Sequence, residues 1–230
     1  MTRRTFHSVA ALAAFSPRAL WAEDAKDILM KATEVYDGLR SYSFEGKSVS
    51  ETTIKGKTSK TEFEFDVAFQ APNKFRLEFR YPNAGNWLRA CDGSVVHEYR
   101  SMTKESKRTP ANEDSLRVLN GSPIFNFERL SQTAENTSLV RSEPIELDGK
   151  KIECQLIQFT SHRRALREGE QPGQSMVWVA KKDGIVLREE IRTTASLRGE
   201  LSESKRTTSI EKFRINEDLP VELFSSATKK

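Results

Sequence analysis

The hydrophobic residues of this 230-residue chain recur at helical spacing in one early segment and at every second position in later ones. A segment from Asp24 to Arg40 carries one apolar stripe, which predicts an amphipathic helix. Acidic residues precede the stripe, where they favour the start of a helix, and Gly38 is suited to its end. The stripe consists of Ile28, Ala32, Val35, Tyr36 and Leu39.

The next two segments, Thr61–Gln70 and Lys74–Tyr81, alternate strictly between apolar and polar residues. This alternation predicts two antiparallel strands with one buried face and one solvated face. The polar residues are acidic on the first strand and mostly basic on the second, so the two rows attract across the pair. The apolar residues form one surface, the aromatic wall: Phe63, Phe65, Val67, Phe69, Phe75, Leu77, Phe79 and Tyr81.

Asp-Gly dipeptides begin at Asp92, Asp148 and Asp183, and each separates two β-like segments, as in tight hairpins. With the wall strands they predict about ten strands, the others being Tyr42–Glu51, Asn86–Cys91, Ser94–Arg100, Ser142–Leu147, Lys151–Thr160, Ser175–Ala180, Ile185–Thr194, Glu200–Asn216 and Val221–Phe224. The segment Asn112–Ala134 loses the alternation and predicts two short helices, and Ser161–Gln174 predicts a basic loop.

These elements predict a mainly β, α+β fold, in which an antiparallel sheet is covered by an N-terminal helix and a helical lid. The wall is too large to remain exposed on a soluble monomer. The helix and the 112–134 segment are the available covers. The pattern leaves open whether they fill the space above the wall or enclose an apolar cavity there.

Residues 1–22 have the anatomy of a bacterial signal peptide. Arg3 and Arg4 precede a short apolar stretch, and small residues ending at Ala22 precede Glu23. The arginine pair also fits the twin-arginine pattern. We therefore expect export to the periplasm, with residues 23–230 forming one domain.

Charge and cysteine content further limit the class of protein. Residues 1–22 hold three of the 37 basic residues and no acid, which leaves 34 basic against 33 acidic residues. A chain so nearly neutral does not indicate nucleic-acid binding. Cys91 and Cys154 are far apart in sequence; a disulfide is possible in an oxidising compartment, but two buried thiols are the favoured reading.

Motifs that carry chemistry are missing from the sequence. The three histidines, His7, His97 and His162, are isolated, and there is no HExxH, CxxC, GxSxG or glycine-rich phosphate loop. We expect a protein that is not an enzyme and that needs no cofactor or metal. An active site assembled from distant residues remains an open alternative.

Two stretches resemble the periplasmic lipoprotein carriers, the LolA-like proteins of the lipoprotein-localisation superfamily. Ala68–Glu78 (AFQAPNKFRLE) and Cys91–Tyr99 (CDGSVVHEY) are similar to the "RPxxFRxE … DGxxxxxY" strand pair of that family. Asn120–Phe125 is similar to the lead into its lid helix, and Phe213–Asn216, with Leu219, Pro220 and Phe224, to its closing strand and tail. The motifs are short but span nearly all of residues 23–230.

The resemblance implies a strongly curved half-barrel sheet whose concave apolar face is lidded by helices and receives acyl chains. The family places an arginine before the proline, thought to tie the lid shut, and this chain has Ala71 there. The departure places the latch, and a dedicated lipoprotein shuttle that works by it, in doubt.

Three functional hypotheses follow. The first is a monomeric periplasmic carrier of lipid or lipoprotein acyl chains that exchanges them with inner- or outer-membrane partners and serves outer-membrane biogenesis. Its predicted ligand-binding residues are Phe63, Phe65, Phe69, Phe75, Leu77 and Phe79 on the wall and Ile124, Phe125, Phe127 and Leu130 in the lid. The second is an envelope-stress regulator of the same fold, RseB-like, although those proteins have a further C-terminal domain. The third is an enzyme.

Overall fold

A computed structural model describes residues 24–112, 130–161, 173–197 and 200–225. Helix α1 (Ala25–Asp37) begins at Asp24, whose side chain accepts a hydrogen bond from the Lys26 amide, and ends at Gly38. Its buried face contains Ile28, Leu29, Ala32 and Tyr36, so the predicted amphipathic helix is confirmed.

The eleven strands among the described residues join one antiparallel sheet. They are β1 (Ser41–Ile54), β2 (Lys57–Gln70), β3 (Lys74–Tyr81), β4 (Gly85–Asp92), β5 (Val95–Arg100), β6 (Glu105–Pro110), β7 (Ala134–Leu147), β8 (Lys150–Ser161), β9 (Gly173–Ala180), β10 (Val186–Leu197) and β11 (Glu200–Ile215). Two short helices complete the described elements, α2 (Leu130–Thr133) and a 3-10 helix (Val221–Phe224).

The strand order is β6-β5-β4-β3-β2-β1-β11-β10-β9-β8-β7. The chain runs outward from β1 to the β6 edge, resumes at the β7 edge and returns strand by strand until β11 pairs with β1. The β6 and β7 edges do not pair with each other among the described residues, so the sheet is open. This is the predicted curved antiparallel sheet of the half-barrel class.

The inner face of the sheet is the one against which α1 packs, and it carries two apolar clusters. The first, the helix cluster, joins α1 to strands β1 and β7–β11 and includes Phe44, Phe159, Val177 and Ile210. The second, the wall cluster, lies on β2–β5. Tyr42 packs against both clusters and connects them, with its ring 4.9 Å from that of Phe44 and 5.4 Å from that of Phe69.

The outer face of β2–β4 is buried, contrary to the prediction of a solvated face. Asp66, Arg76 and Glu78 are 6%, 1% and 0% exposed. The cause is the end of the chain, where Leu219 and Phe224 pack against Ala68 on this face. The Arg76 guanidinium donates to the carbonyl oxygens of Leu223 (3.2 Å) and Ser225 (3.3 Å) and to Glu78 Oε2 (2.5 Å).

One element prediction was wrong, and one strand was missed. Val221–Phe224 was predicted as a strand and is a 3-10 helix, because Phe224 turns onto the outer face instead of extending an edge. Glu105–Pro110 was not predicted, since it lacks an apolar alternation, yet it forms β6 by pairing along β5.

Candidate functional site

The aromatic wall forms as predicted on one face of the β2–β3 hairpin. Phe65 lies opposite Phe79, Val67 opposite Leu77 and Phe69 opposite Phe75. Strand alternation places the partner residues of these pairs on the same face, so six of the eight predicted wall residues are brought together. The predicted attraction across the hairpin is also present, because Arg80 pairs with Asp66 at 2.7 Å and with Glu64 at 3.3 Å.

The wall has a fully buried floor. Phe65, Val67, Phe75 and Leu77 are 0–2% exposed and pack with Cys91 of β4 and Val96 of β5. At ~1.5–3 kcal/mol for each large apolar side chain, this floor stabilises the β2–β5 half of the sheet substantially. The floor residues therefore stabilise the fold and also form the apolar base of the wall.

One end of the wall is a half-buried aromatic group, the rim, formed by Phe63, Phe79, Tyr81 and Trp87. The ring centroid of Phe63 lies 5.5 Å from that of Phe79 and 5.1 Å from that of Tyr81. The Phe79 ring stacks on Trp87 with a centroid distance of 5.3 Å. Trp87 faces Phe79 directly across the β3–β4 pair. Aromatic rings that remain partly exposed next to an apolar floor are typical of binding surfaces.

Sequence reasoning missed Trp87 as a site residue. The signal was present, because Asn86–Cys91 was predicted as a strand directly after Lys74–Tyr81. Pairing the two across a short turn would have placed Trp87 against Phe79.

The predicted lid residues have a different outcome. Ile124, Phe125 and Phe127 lie outside the described residues. Leu130 is described, is 3% exposed and belongs to the helix cluster, beside α1, instead of the wall cluster. The residue just before the predicted lid segment does reach the wall: Ala111 packs against the wall cluster, and its amide donates to the Ser94 carbonyl at 2.8 Å.

The helix cluster is closed by a polar contact as well as by packing. The Tyr36 hydroxyl accepts a hydrogen bond from the Val186 amide at 3.0 Å, and burial raises the pKa of Tyr36 well above its usual value. This hydrogen bond ties α1 to β10, within the half of the sheet that carries the helix cluster. Helix α1 does not belong to the wall cluster.

A cavity of about 430 Å³ lies elsewhere, between the paired ends of β1 and β11 and the β7–β8 turn. None of the seven predicted ligand-binding residues that the structure describes lines it. Its lining mixes apolar Leu147, Ile152 and Phe213 with charged residues, of which Lys212 and Glu45 pair at 3.1 Å. The charged lining distinguishes this cavity from the wall.

The two cysteines are free and buried, Cys91 in the wall cluster and Cys154 in the helix cluster. Burial raises the pKa of the Cys154 thiol to about 11 and also raises that of Cys91. Both therefore behave as small apolar residues, as favoured from the sequence.

The described residues contain no group of three or more His, Cys, Asp and Glu side chains placed to hold a metal ion. His97 is half-buried on β5 and lies opposite Arg108 of β6, and His162 is outside the described residues. The described helices include none long and apolar enough to cross a membrane.

No family model and no curated protein matches the chain. Among solved structures, a DUF1329 family protein from Desulfovibrio piger is 12% identical with a TM-score of 0.36, and the match covers 88% of this chain and 96% of that one. A putative outer membrane lipoprotein-sorting protein domain from Vibrio parahaemolyticus is 11% identical with a TM-score of 0.33, over 87% and 97% of the two chains.

A third match is to the complex of MucA and MucB from Pseudomonas aeruginosa, at 13% identity and a TM-score of 0.46. It covers 88% of this chain and 61% of that chain. All three TM-scores are below 0.5, so these matches carry no argument about the family or the role of this chain. At these identities the similarity concerns the fold alone.

Proposed function

We propose that this protein is a periplasmic binding or carrier protein whose inner sheet face receives an acyl chain at the aromatic wall. The observation that carries the proposal is the rim, where four aromatic side chains remain half-buried next to a fully buried apolar floor. An acyl chain laid across Phe63, Phe79 and Trp87 would remove apolar surface from water at about 25 cal/mol per Å².

The division of the inner face supports this role. Helix α1 covers the helix cluster, so that half of the sheet has an occupant. The wall cluster is built without α1 and extends to the half-buried rim. A binding role needs no catalytic group, and the proposal assigns none. The signal-like segment at residues 1–22 supports export of the protein to the compartment where lipid and lipoprotein chains cross between membranes.

Native mass spectrometry of protein purified from the periplasm tests the proposal. We expect adducts with the masses of lipids or acylated peptides, identified by lipid analysis of the same sample. Phe79→Glu should remove the adducts, because it places a charge in the rim. The control is Leu201→Glu, which adds the same charge at a side chain that is 61% exposed on β11. An apo mass for the wild type, or one stoichiometric protein partner without lipid, would contradict the proposal.

A further inference from the structure

Beyond the wall, the inner face becomes polar on the far halves of β1 and β11. Ser48 lies opposite Thr208, Ser50 opposite Arg206, and Thr52 opposite Ser204. The hydroxyls of Ser48 and Thr208 are 3.0 Å apart, and those of Thr52 and Ser204 are 3.3 Å apart. These pairs show that the side chains share one face.

Strand register places this polar surface next to the rim. Phe63 of β2 lies opposite Ser48, and Ser48 lies opposite Thr208, so the three form one row across the sheet. Arg206 is two residues further along β11. With ~4.8 Å between strands and ~3.4 Å per residue, the backbone positions of Phe63 and Arg206 are about 12 Å apart. One molecule with an apolar and a polar end can span that distance.

Arg206 is the cation of this surface. Its side chain is half-buried, and it makes no hydrogen bond or ion pair with another described residue. The arginines on β3 and β4 differ, since Arg80 pairs with Asp66 and Arg89 pairs with Glu98. A guanidinium offers several N–H donors in a planar fork that matches a carboxylate or a phosphate.

The hydroxyls around Arg206 complete an anion-binding set. When two hydroxyls hydrogen-bond to each other, one O–H proton remains free to donate to a third acceptor, and Ser50, opposite Arg206, adds another. One acid on this face, Glu189, lies opposite Thr208 on β10 and is 0% exposed, whereas Ile191 is the β10 residue opposite Arg206. A second acid, Glu200, lies six residues from Arg206 along β11 and pairs with Lys55. Directly opposite Arg206 there are therefore a hydroxyl residue on β1, Ser50, and an apolar residue on β10, Ile191.

We infer that Arg206, with Ser50, Thr52 and Ser204, forms a head-group subsite that binds the carboxylate or phosphate of an anionic amphiphile whose chain lies on the aromatic wall. This inference rests on the proposed function and names its ligand class. The shared chemistry is an anion attached to an apolar chain.

The test compares two ligands with the same chain and different ends, dodecanoate and 1-dodecanol, by calorimetry at pH 8. The wild type should bind dodecanoate at least tenfold more tightly. Arg206→Gln should remove that preference while leaving dodecanol affinity and the melting temperature unchanged. The control is Arg108→Gln, which removes an exposed positive charge from β6 and should keep the preference.

The outcomes separate the two claims. If both ligands bind and the preference survives Arg206→Gln, the subsite is wrong while wall binding stands. If neither ligand binds to the wild type, the proposed function itself fails. In a further set of titrations, inorganic phosphate or acetate is the only ligand added. Binding of either as tight as that of dodecanoate would show a small-anion site and would overturn the amphiphile assignment, whereas binding at least tenfold weaker would support it.

Discussion

The ring of Phe65 lies directly against the Cα of Gly46 across the β1–β2 pair. A methyl group at position 46 would come within 2.6 Å of Phe65 Cζ and 2.2 Å of the Ser209 carbonyl oxygen. Gly46 also borders the irregularity where the register between β1 and β11 shifts. The absence of a side chain at Gly46 therefore allows a fully buried ring of the wall to pack on the central strand pair.

Gly46→Ala is expected to lower the free energy of unfolding by about 1–3 kcal/mol through overpacking. Urea denaturation measures the change. The control is Gly38→Ala, whose added methyl would make only ordinary contacts, 3.4 Å from the Glu34 carbonyl oxygen at nearest. Adding Phe65→Leu should not restore stability, because the contact with the Ser209 backbone remains. A Gly46→Ala protein as stable as the wild type would contradict this packing.

Arg76→Met is expected to destabilise the protein by about 3–5 kcal/mol, because it leaves the buried Glu78 carboxylate without this cation and removes the donor to Leu223 and Ser225. Thermal and urea unfolding measure the loss. Arg80→Met, at a half-buried arginine on the same strand, should cost less than half as much.

Glu78→Leu added to Arg76→Met should recover much of this loss, since a buried ion pair can be replaced by packed apolar residues at little cost. An Arg76→Met protein with an unchanged melting temperature would show that the contact to the C-terminal segment carries no stability.

The thiols of Cys91 and Cys154 should resist alkylation in the folded protein at pH 8, because burial raises the pKa of both. Mass spectrometry after iodoacetamide treatment should show two modifications in urea and almost none without it. Since the Cys154 pKa falls from about 11 to its usual value on unfolding, stability should decline as pH rises through about 8.5 to 11. Rapid native labelling, or a disulfide, would contradict this account.

Phe75→Glu and Phe79→Glu should differ in their effects, since the first should prevent stable folding and the second should prevent only acyl-chain binding. Phe75 is 0% exposed on the wall floor, so Phe75→Glu buries a charge, costs several kcal/mol and prevents stable folding. Phe79 is half-buried in the rim, so Phe79→Glu should fold and lose acyl-chain binding. Circular dichroism and a fluorescent fatty acid on the same samples distinguish the two. A folded Phe75→Glu protein would place Phe75 against water and contradict a filled floor.

The sequence predicted the parts of the fold in which apolar and polar residues alternate. Lys74–Tyr81 has the predicted bounds, and α1 lies within its predicted range, because local periodicity determines both. The buried outer face was not predictable from periodicity, since Arg76 and Glu78 have the polar pattern of a solvated row. Their burial depends on Leu223, 147 residues away in sequence from Arg76.

The candidate site, like the fold, was predictable where apolar and polar residues alternate along the strands. The wall follows from alternation on two neighbouring strands, and the register confirms that its residues share a face. The division into floor and rim does not follow, because it depends on packing by β4 and β5, which contribute Cys91, Val96 and Trp87. The Gly46 contact likewise requires the three-dimensional approach of β1, β2 and β11.

The most direct test uses Trp87 as its own reporter. The tryptophans are Trp21, Trp87 and Trp178, and Trp21 lies in the predicted signal segment. Trp178 is 6% exposed and donates to Glu143 Oε1. In the 23–230 form carrying Trp178→Phe, Trp87 is therefore the single fluorophore. Titration with dodecanoate should shift its emission to shorter wavelength and saturate, and Phe79→Glu should abolish the response. If Trp87 emission does not change, acyl-chain binding at the aromatic wall is contradicted. This holds whether or not calorimetry detects binding of dodecanoate.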